Sequence, residues 1–555
     1  MALFRPLLAL VWAIASVQIA SGKFRPRAAF PSLIDATVDD IKAALDSQLF
    51  TSVDLVNAYL RRIAEANPIV NAVTEVNPDA LSIAAALDAE RAQGKIRSDL
   101  HGVPILIKNN IATADAMNNT AGSLALLGAL VPRDSFIASK LRAAGAIILG
   151  KSNLSQWANF RSSNSSNGWS AHGGQVSAAY IKNQDPSGSS SGSGVATSLG
   201  LVTVSLGTET DGSIISPSQR NNLVGVKPSV GLTSRDLVIP ISEHQDTVGP
   251  MGRTVKDAAY VLQAIAGPDR NDNYTSAIPT NSIPQLPDYV GACTGGISAL
   301  RGARLGVPTN AIELFQQFLN GSAQPEVDAF SVALDAMRVG TVGAVIVRDS
   351  NFTNLTEWAS STAEGTVLRA DFRVNLASYL SKLTTNPNNV SSLSDIRRFT
   401  QLTPEEDFPS RDTVTWDEAL DAETGFDNTD PRFWPALQED LFLGGEGGLL
   451  GALERYRLDA VVLPSSFAPG FAAIVGAPVV TVPLGFYPPE APVVMNTRGD
   501  LVDTGPNVPF GFSFLGRNFD EVKLIGLAYA FEQLTQVRGK VRPYLVPTKE
   551  VSYSS

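Results

Sequence analysis

The sequence contains little cysteine and little histidine. Among 555 residues there are one cysteine, Cys293, and three histidines, His101, His172 and His244. A single cysteine excludes an internal disulfide, a four-cysteine zinc site and an iron–sulfur cluster. Three histidines leave few partners for a nucleophile that depends on a histidine base. Nucleophilic chemistry in this chain is therefore expected to use another base, and lysine is the candidate.

Positive charge is also in short supply. The chain has 43 Lys and Arg against 54 Asp and Glu, a net charge of −11, and no basic run that could neutralise phosphates. Nucleic acid is therefore not an expected partner. Charged residues make up 17% and hydrophobic residues 44%, which excludes a disordered chain. The length fits two to four domains or one large α/β enzyme. We favour one domain because no linker divides the chain.

The first 22 residues have the pattern of a secretory signal peptide. Arg5 supplies a positive charge, an uncharged apolar run from Leu7 to Ile19 follows, and small residues come next. The run is too short for a predicted membrane anchor. We therefore expect a secreted protein with residues 23–555 as its catalytic domain and no stable membrane insertion. A mitochondrial presequence is the alternative, but such segments are amphipathic whereas this one is apolar all round.

Sequons for N-glycosylation agree with secretion. A glycan is attached to the asparagine of Asn-x-Ser/Thr in secreted proteins, so such sites are expected on surface loops. The sequence has these candidates at Asn118, Asn153, Asn164, Asn273, Asn320, Asn351, Asn354 and Asn389. The cluster from 320 to 389 is the best candidate.

Short apolar runs alternate with helical patterns along the chain. Helices are expected over 136–144, 255–266 and 519–534. Strands are expected over 103–107, 146–149, 201–206, 304–307, 344–347, 460–463, 478–482 and 510–515. Runs that are hydrophobic on both faces suit strands covered by helices on both sides. The sequence therefore predicts an α/β fold: one α/β/α layered domain around a large mixed, mainly parallel sheet. Residues 268–300 and 385–430 are predicted loops or peripheral insertions.

Two motif matches have competing interpretations. Residues 145–152, GAIILGKS, match the phosphate-binding P-loop, but a strand-like run occupies the place of the phosphate-binding turn. A buried strand is the favoured interpretation. Residues 188–192, GSSSG, match the nucleophile elbow of α/β-hydrolases. That assignment needs a downstream histidine, and only His244 is available.

A Gly/Ser-rich block is the strongest candidate for the site. Residues 185–194, DPSGSSSGSG, and 207–217, GTETDGSIISP, flank an apolar stretch, so these small residues are expected inside the fold. Closely packed backbone with inward N–H groups suits an oxyanion pocket, and a serine there is a candidate nucleophile. Lys108 ends the apolar run VPILI. Burial would lower its pKa and let it act as the base.

The same segments resemble a known enzyme family. HGVPILIKNNI, GSSSG, LGTETDGSIISPSQRNNLVGVKPSVGL and QDTVGPMGRTVKDAA are similar, in this order, to the amidase signature family, and within it to the peptide amidases. The resemblance spans residues 32–542 and is weakest over a variable region at about 270–440.

The resemblance implies a set of site residues and a reaction. Lys108 is the lysine, Ser189 the bridging serine that follows a cis peptide bond, and Ser213 the nucleophile. The oxyanion would be held by backbone N–H groups of Thr210, Asp211, Gly212 and Ser213. A small-molecule or peptide amide, such as a C-terminal peptide amide, would be hydrolysed through an acyl-enzyme. No metal or cofactor is implied.

Three residues depart from the wider family pattern. Asp211 stands where the family commonly has glycine, although the peptide amidases share this aspartate. Asn109 follows the lysine where aspartate is common, and Gln156 stands in place of a common glutamate. Two other functions therefore stay open: one member of a transamidation complex that resembles the glutamyl-tRNA amidotransferase, and a catalytically silent binding protein. The sequence does not indicate an oligomeric state.

Overall fold

The computed structural model describes residues 30–279, 286–319 and 321–553. The predicted signal peptide and the Asn320 sequon lie outside the described residues. Within these ranges the chain forms fifteen strands, of which eleven belong to one sheet and four form two small hairpins. The strands are β1 (Val73–Val76), β2 (Pro104–Lys108), β3 (Ile147–Ser152), β4 (Trp169–Ser170), β5 (Gly174–Gln175), β6 (Val204–Glu209), β7 (Val224–Lys227), β8 (Thr247–Gly252), β9 (Arg304–Val307), β10 (Val345–Arg348), β11 (Ala460–Pro464), β12 (Val479–Phe486), β13 (Val494–Met495), β14 (Val502–Thr504) and β15 (Pro509–Leu515).

Helices cover the sheet and build the segment between β10 and β11. They are α1 (Val38–Asp46), α2 (Ser52–Val70), α3 (Ala80–Ala92), α4 (Phe136–Ala143), α5 (Ser191–Ser198), α6 (Ile215–Arg220), α7 (Val255–Ile265), α8 (Thr309–Phe318), α9 (Gln324–Arg338), α10 (Leu355–Ser360), α11 (Ala363–Ser381), α12 (Leu393–Leu402), α13 (Val414–Leu420), α14 (Phe433–Gly444), α15 (Leu449–Arg455), α16 (Pro469–Ala473) and α17 (Glu521–Thr535). In the described part of the chain, none of the helices has the length and apolar character needed to cross a membrane.

The main sheet has the strand order β1-β3-β2-β6-β8-β7-β12-β15-β11-β9-β10. The α/β class and the large mixed sheet are therefore as predicted. The mainly parallel pairing that we expected holds for the two flanks, β3-β2-β6 and β11-β9-β10. The remaining neighbouring pairs are antiparallel. Antiparallel neighbours need no helical crossover, so the centre of the sheet can be built with short or irregular connections.

The two faces of the sheet are covered by different helices. On β2, Ile105 and Ile107 pack in a hydrophobic cluster with residues of α4 and α7. Leu106, between them, packs in another cluster with α2, α3 and α5. Because side chains alternate along a strand, Lys108 lies on the same face as Leu106. The alternation therefore directs the Lys108 amine toward the start of α5, where the Gly/Ser-rich block lies.

All eight predicted strands are present, with ends that differ by a few residues. For 385–430 we expected loops or a peripheral insertion, and the loop alternative is wrong, because α12 and α13 lie there. The Ser392 hydroxyl caps α12 by accepting a hydrogen bond from the Asp395 N–H, a local signal for a helix start. The segment between β10 and β11 is therefore largely a helical layer, and it packs against the loops that carry the site.

Candidate active site

Lys108 is the fully buried last residue of β2. Its Nζ lies 2.8 Å from Ser189 Oγ, 2.9 Å from Thr208 Oγ1 and 3.1 Å from the Thr208 carbonyl oxygen. A neutral amine has two hydrogens and one lone pair, which suits two acceptors on Thr208 and one hydroxyl donor on Ser189. Burial lowers the pKa of Lys108 to about 7, and the negative charges of Asp246 and Glu209 limit that fall. The amine is thus poised to exchange a proton near neutral pH.

The serine-rich loop before α5 presents one hydroxyl to this lysine. Ser189 follows a cis peptide bond from Gly188, which is the geometry that the resemblance implies at this position. Its neighbours have other partners: Ser190 Oγ donates to the Thr208 carbonyl at 3.2 Å, and Ser191 Oγ donates to the Ser187 carbonyl at 2.5 Å. Among the serines of this loop, the described contacts therefore single out Ser189 as the partner of Lys108.

Ser213 lies in the tight turn between β6 and α6. Its carbonyl accepts a hydrogen bond of 3.2 Å from the Ser190 N–H, so the two serine-bearing loops are in direct contact. The turn needs Gly212, whose φ of +79° favours glycine. Glu209 is buried and holds the turn from behind, because its Oε2 accepts hydrogen bonds from the N–H groups of Ile214 and Ile215 at 2.6 and 2.9 Å.

The backbone of this turn offers donors for an oxyanion. The N–H groups of Asp211 and Ser213 have no hydrogen-bond acceptor among the described residues. Burial raises the pKa of the Glu209 carboxyl group, and the charge of Lys227 and the backbone N–H groups of the turn limit that rise. Thr210 is fixed through its side chain, because its Oγ1 donates to Asp246 Oδ1 at 2.6 Å. The four-donor oxyanion site stays a prediction.

The turn also contacts the helical layer. Gln245 Nε2 donates to Glu364 Oε1 at 2.9 Å and lies 3.5 Å from the Thr210 carbonyl oxygen. Glu364 is in the first turn of α11. These framing residues, with Thr208 and Asp246, were not predicted from the sequence. Glu364 belongs to the region where the resemblance is weakest, so no motif pointed to it.

Gln156 has a structural role that explains its departure from the family pattern. Its Nε2 donates to Glu406 Oε2 at 2.7 Å, and its Oε1 accepts a hydrogen bond from Arg161 Nη1. Glu406 is fully buried and also accepts from Ser123 Oγ at 2.7 Å. A glutamate at position 156 would place a second carboxylate against Glu406. In this protein, therefore, residue 156 is the amide and Glu406 is the acid of a hydrogen-bonded acid–amide pair.

We expect Gln156→Glu to lower the free energy of unfolding by about 2–4 kcal/mol, since it places two carboxyl groups together in a buried site. The loss grows as the pH rises, because the introduced carboxyl must ionise beside Glu406 and its pKa in the folded state is therefore raised. Thermal and chemical denaturation at pH 5 and pH 8 measure this change.

The double variant Gln156→Glu/Glu406→Gln is the matched control for this prediction. It exchanges acid and amide, so most of the lost stability should return. Equal stability of Gln156→Glu and the unchanged protein at pH 8 would contradict the proposed acid–amide pairing.

The two alternative motif assignments can be compared with the structure. Residues 147–152 form strand β3, and Lys151 Nζ donates to the Ile111 carbonyl at 2.6 Å and to Asn119 Oδ1 at 2.8 Å. A buried strand, and not a phosphate-binding loop, is therefore present. His244 Nδ1 lies 2.7 Å from Asp371 Oδ2, while Ser190 Oγ donates to Thr208. The structure therefore contradicts a Ser190–His244 elbow.

One group of side chains has the composition of a metal site. Glu243, His244 and Asp371 bring possible ligand atoms within 4.8 Å of one another. Hydrogen bonds already engage the buried Asp371: Ser242 Oγ donates to its Oδ2 at 2.6 Å and Asn428 Nδ2 donates to its Oδ1 at 3.0 Å. Together with the His244 contact, this network accounts for the cluster as a clamp between a site loop and α11.

The predicted sequons differ in accessibility. Asn153 is fully buried, so the structure contradicts a glycan there. Asn118 is half-buried, and its Nδ2, the atom that a glycan would occupy, donates to Glu75 Oε1 at 2.6 Å. Asn351 and Asn354 are also half-buried. The exposed candidates among the described residues are Asn164, Asn273 and Asn389.

Comparison with known proteins gives consistent matches over most of the chain. The profile of the family named Amidase matches residues 54–391. A protein of Arthroderma benhamiae named "Putative amidase" is 53% identical over 542 residues, covering 94% of this chain and 89% of that protein. The native peptide amidase of Stenotrophomonas maltophilia has a similar structure, with a TM-score of 0.78, 38% identity, and coverage of 93% of this chain and 99% of that one.

A more distant group of relatives bears on the alternative function. A glutamyl-tRNA(Gln) amidotransferase component of Chloroflexus aurantiacus is 30% identical over 530 residues, covering 92% of this chain and 98% of that protein.

Proposed function

The chain belongs to the amidase signature family and is an amidase, and from this premise we propose that it hydrolyses primary carboxamides, including C-terminal peptide amides, through Lys108, Ser189 and Ser213. The contact of 2.8 Å between Lys108 Nζ and Ser189 Oγ, beside the turn that holds Ser213, is the observation that carries the proposal. Likeness to a peptide amidase structure at 38% identity supports the peptide amide as substrate.

The reaction begins with proton transfer away from the nucleophile. Neutral Lys108 takes a proton from Ser189 as Ser189 takes one from Ser213, and Ser213 Oγ attacks the amide carbonyl carbon. The carbonyl oxygen becomes an oxyanion, held by the backbone N–H groups of the 210–213 turn. Each such donor contributes about 3–4 kcal/mol to the transition state.

The tetrahedral intermediate then loses ammonia. An amide nitrogen is a poor leaving group, so Ser189 returns a proton to it as the C–N bond breaks, and Lys108 reprotonates Ser189. Water attacks the acyl-enzyme by the same relay and releases the acid. The net reaction consumes one amide and one water and yields one carboxylic acid and one ammonia. Burial lowers the pKa of Lys108 to about 7, so a large fraction of the amine is neutral at pH 7, and the first step requires this neutral form.

Location outside the cell belongs to the same proposal. The signal-peptide pattern of residues 1–22 supports export, with residues 23–555 as the mature chain, and the exposed sequons Asn164, Asn273 and Asn389 are the proposed glycan sites. Expression in a eukaryotic secretory host, followed by N-terminal sequencing and glycosidase digestion of the secreted protein, tests this part. Retention inside the cell with an intact N-terminus would contradict it.

We expect the purified mature protein to release ammonia from N-acetylated amino acid amides and from amidated peptides. Internal peptide bonds should be cleaved far more slowly, because the proposed substrate is a terminal carboxamide. Ammonia release across a panel of amidated peptides, aryl amides and short aliphatic amides measures the preference. If the folded protein releases ammonia from no member of the panel, the proposal fails. Activity that appears only with added partner chains would favour membership of a transamidation complex.

A further inference from the structure

Three carboxyl groups lie on neighbouring elements at the nucleophile turn: one is in the turn, one is in α11, and one is in α14, which packs against α11. They are Asp211, two residues before Ser213, Glu364 in the first turn of α11, and Asp440 near the end of α14. We call them the carboxyl cluster. Gln245 links Glu364 to the turn, because it donates to Glu364 Oε1 at 2.9 Å and lies 3.5 Å from the Thr210 carbonyl oxygen. Gln245 thus places Glu364 one side chain away from the turn that carries Asp211 and Ser213.

The carboxyl cluster has almost no polar partners within the protein. Among the described residues, neither Asp211 nor Asp440 makes a side-chain hydrogen bond, Glu364 makes one, and none of the three forms an ion pair. Asp440 is only 3% exposed, and its Oδ2 is buried without a hydrogen-bond partner. Buried carboxyl groups are normally hydrogen-bonded or paired with a cation, since leaving them without partners costs free energy. Asp211, by contrast, is exposed, so a ligand can reach the cluster from that side.

Two other buried carboxylates near the site, Asp371 and Glu406, follow the normal rule. Asp371 accepts hydrogen bonds from Ser242 and Asn428, and Glu406 accepts from Gln156 and pairs with Arg161. These groups hold loops together and have their acceptor sites filled. The carboxyl cluster is different because it has acceptor capacity that no neighbouring side chain uses.

An aromatic wall lies next to the cluster. Gly470 has no side chain, and a Cβ at this position would come within 3.0 Å of the Trp358 ring and 3.8 Å of Asp211 Oδ2. Trp358 therefore borders the same space as the Asp211 carboxyl group, and Phe471 packs against the Trp358 ring with centroids 4.4 Å apart. An indole ring beside carboxyl groups is a typical environment for an ammonium or guanidinium ion, which is attracted by both.

The carboxyl groups of the cluster all have raised pKa values. Burial, and then the charges of Glu364 and Glu439, raise the pKa of Asp440 to about 8. Desolvation by the surrounding protein raises the pKa of Asp211 and Glu364 as well, with the carboxylates of Glu364 and Glu209 adding to the effect at Asp211 and Lys227 opposing it. A bound cation would stabilise the ionised forms and lower these pKa values.

We propose that the carboxyl cluster and Trp358 form a substrate subsite that binds a positively charged group of the amide substrate, an ammonium or a guanidinium close to the scissile bond. This inference rests on the proposed amide hydrolysis and adds the class of amide that the site prefers. The charge has two sources in peptide amides: the α-ammonium of a free amino acid amide, and the side chain of a basic residue. The two sources share their chemistry and are separated by the choice of substrate.

The test compares matched amides in the mature enzyme. Nα-acetyl-lysinamide against Nα-acetyl-norleucinamide probes a side-chain ammonium, and alaninamide against N-acetylalaninamide probes an α-ammonium. We expect kcat/KM for at least one cationic member to exceed that of its neutral partner by about tenfold, mainly through KM. The preferred pair identifies the source of the charge, and the preference should fall as ionic strength rises.

Two variants connect this preference to the cluster. Glu364→Gln and Asp440→Asn keep side-chain shape and remove one negative charge each, so either should reduce the cationic preference about tenfold. The preference is the ratio of kcat/KM for the cationic amide to kcat/KM for its neutral partner in the same variant, so a general loss of activity cancels from it. Glu313→Gln, an exposed carboxylate on α8, is the matched control and should change neither rate. If one cluster variant does not fold, the other variant and the salt dependence still decide the outcome.

The result that overturns this inference differs from the one that overturns the proposed function. Absence of hydrolysis with every amide removes the proposed function itself. Hydrolysis of neutral amides with no cationic preference, or a preference that neither cluster variant changes, overturns the subsite alone. In that case the carboxyl groups of the cluster would be protonated in the working enzyme and would not bind a substrate cation.

Discussion

Ser213→Ala is expected to lower kcat/KM for amide hydrolysis by about 10⁴-fold or more while the protein stays folded. The methyl side chain cannot form the acyl-enzyme, so hydrolysis would have to proceed by direct attack of water. Residual activity would come from substrate binding and from the backbone donors of the 210–213 turn, which the substitution leaves in place. Ammonia release in the steady state measures the loss. Mass spectrometry with a slowly deacylated ester should show an acyl adduct on the unchanged enzyme only.

Neighbouring hydroxyl groups provide the controls for Ser213. Ser216 lies one helical turn further on, and its N–H donates to the Gly212 carbonyl at 2.7 Å through the backbone, which alanine preserves. We therefore expect Ser216→Ala to change kcat/KM by about threefold at most. In the serine-rich loop, Ser189→Ala should be strongly impaired and Ser191→Ala only mildly. An acyl adduct on Ser213→Ala, or greater loss in Ser191→Ala than in Ser189→Ala, would contradict the assigned roles.

The chemistry-bearing residues could be predicted from the sequence because they lie in contiguous motifs with local physical signals. Lys108 follows five apolar residues, which predicts a buried amine at a strand end, and β2 provides that position. The Gly/Ser-rich block predicts closely packed backbone for an oxyanion pocket, and Gly212 there has the left-handed φ that glycine adopts easily. In these segments, local conformation and burial are determined by the same few residues.

Some strands could not be predicted because their local sequence indicates a turn. β8 contains Gly249, Pro250 and Gly252 and pairs with β6 and β7. Its glycine content is explained by tertiary packing: a Cβ on Gly249 would lie 2.0 Å from the Val226 carbonyl oxygen. A strand that needs glycine for close approach to a neighbouring strand has a sequence that favours turns. Secondary-structure propensity therefore predicts a turn where the protein has a strand.

The residues of the proposed cation subsite could not be predicted from the sequence, for a different reason. Glu364 and Asp440 come from helices α11 and α14, and neither residue belongs to a motif. Their place near Asp211 depends on the packing of α14 against α11 and on Gln245, which joins α11 to the nucleophile turn. Catalytic chemistry is thus encoded in short local segments, whereas the class of substrate depends on long-range packing that no single segment reveals.

Lys108→Met is expected to lower kcat/KM by about 10³-fold or more, because it removes the base and fills the same buried space with an apolar side chain. Lys108→Arg should be similarly impaired. Arginine keeps a positive charge but cannot lose its proton in a protein, so it cannot accept one from Ser189. Activity in the arginine variant comparable to the unchanged enzyme would show that the site needs a cation and not a base, which would contradict the proposed relay.

The pH dependence provides an independent measurement of the same role. Burial lowers the pKa of Lys108 to about 7, and only the neutral amine accepts a proton. We therefore expect kcat/KM to rise about tenfold per pH unit below that value and to level off above it, since kcat/KM reports groups of the free enzyme. Because burial depresses this pKa relative to the unfolded chain, the same group makes the folded state less stable as the pH falls from about 10 toward 7.

Lys151 is the matched control because it is equally buried and its pKa is also lowered to about 7, yet its Nζ contacts Ile111 and Asn119 instead of a serine. Lys151→Met should alter stability, since it leaves two buried acceptors without a donor, but kcat/KM of the folded protein should keep its midpoint near pH 7. If Lys151→Met shifts the midpoint of the pH profile and changes around Lys108 do not, the titrating group is Lys151, and the assignment to Lys108 is contradicted. Burial gives the two lysines similar pKa values, so pKa alone does not distinguish them. Lys108 differs because it contacts Ser189, and this contact is what lets it act as the base in the proposed relay.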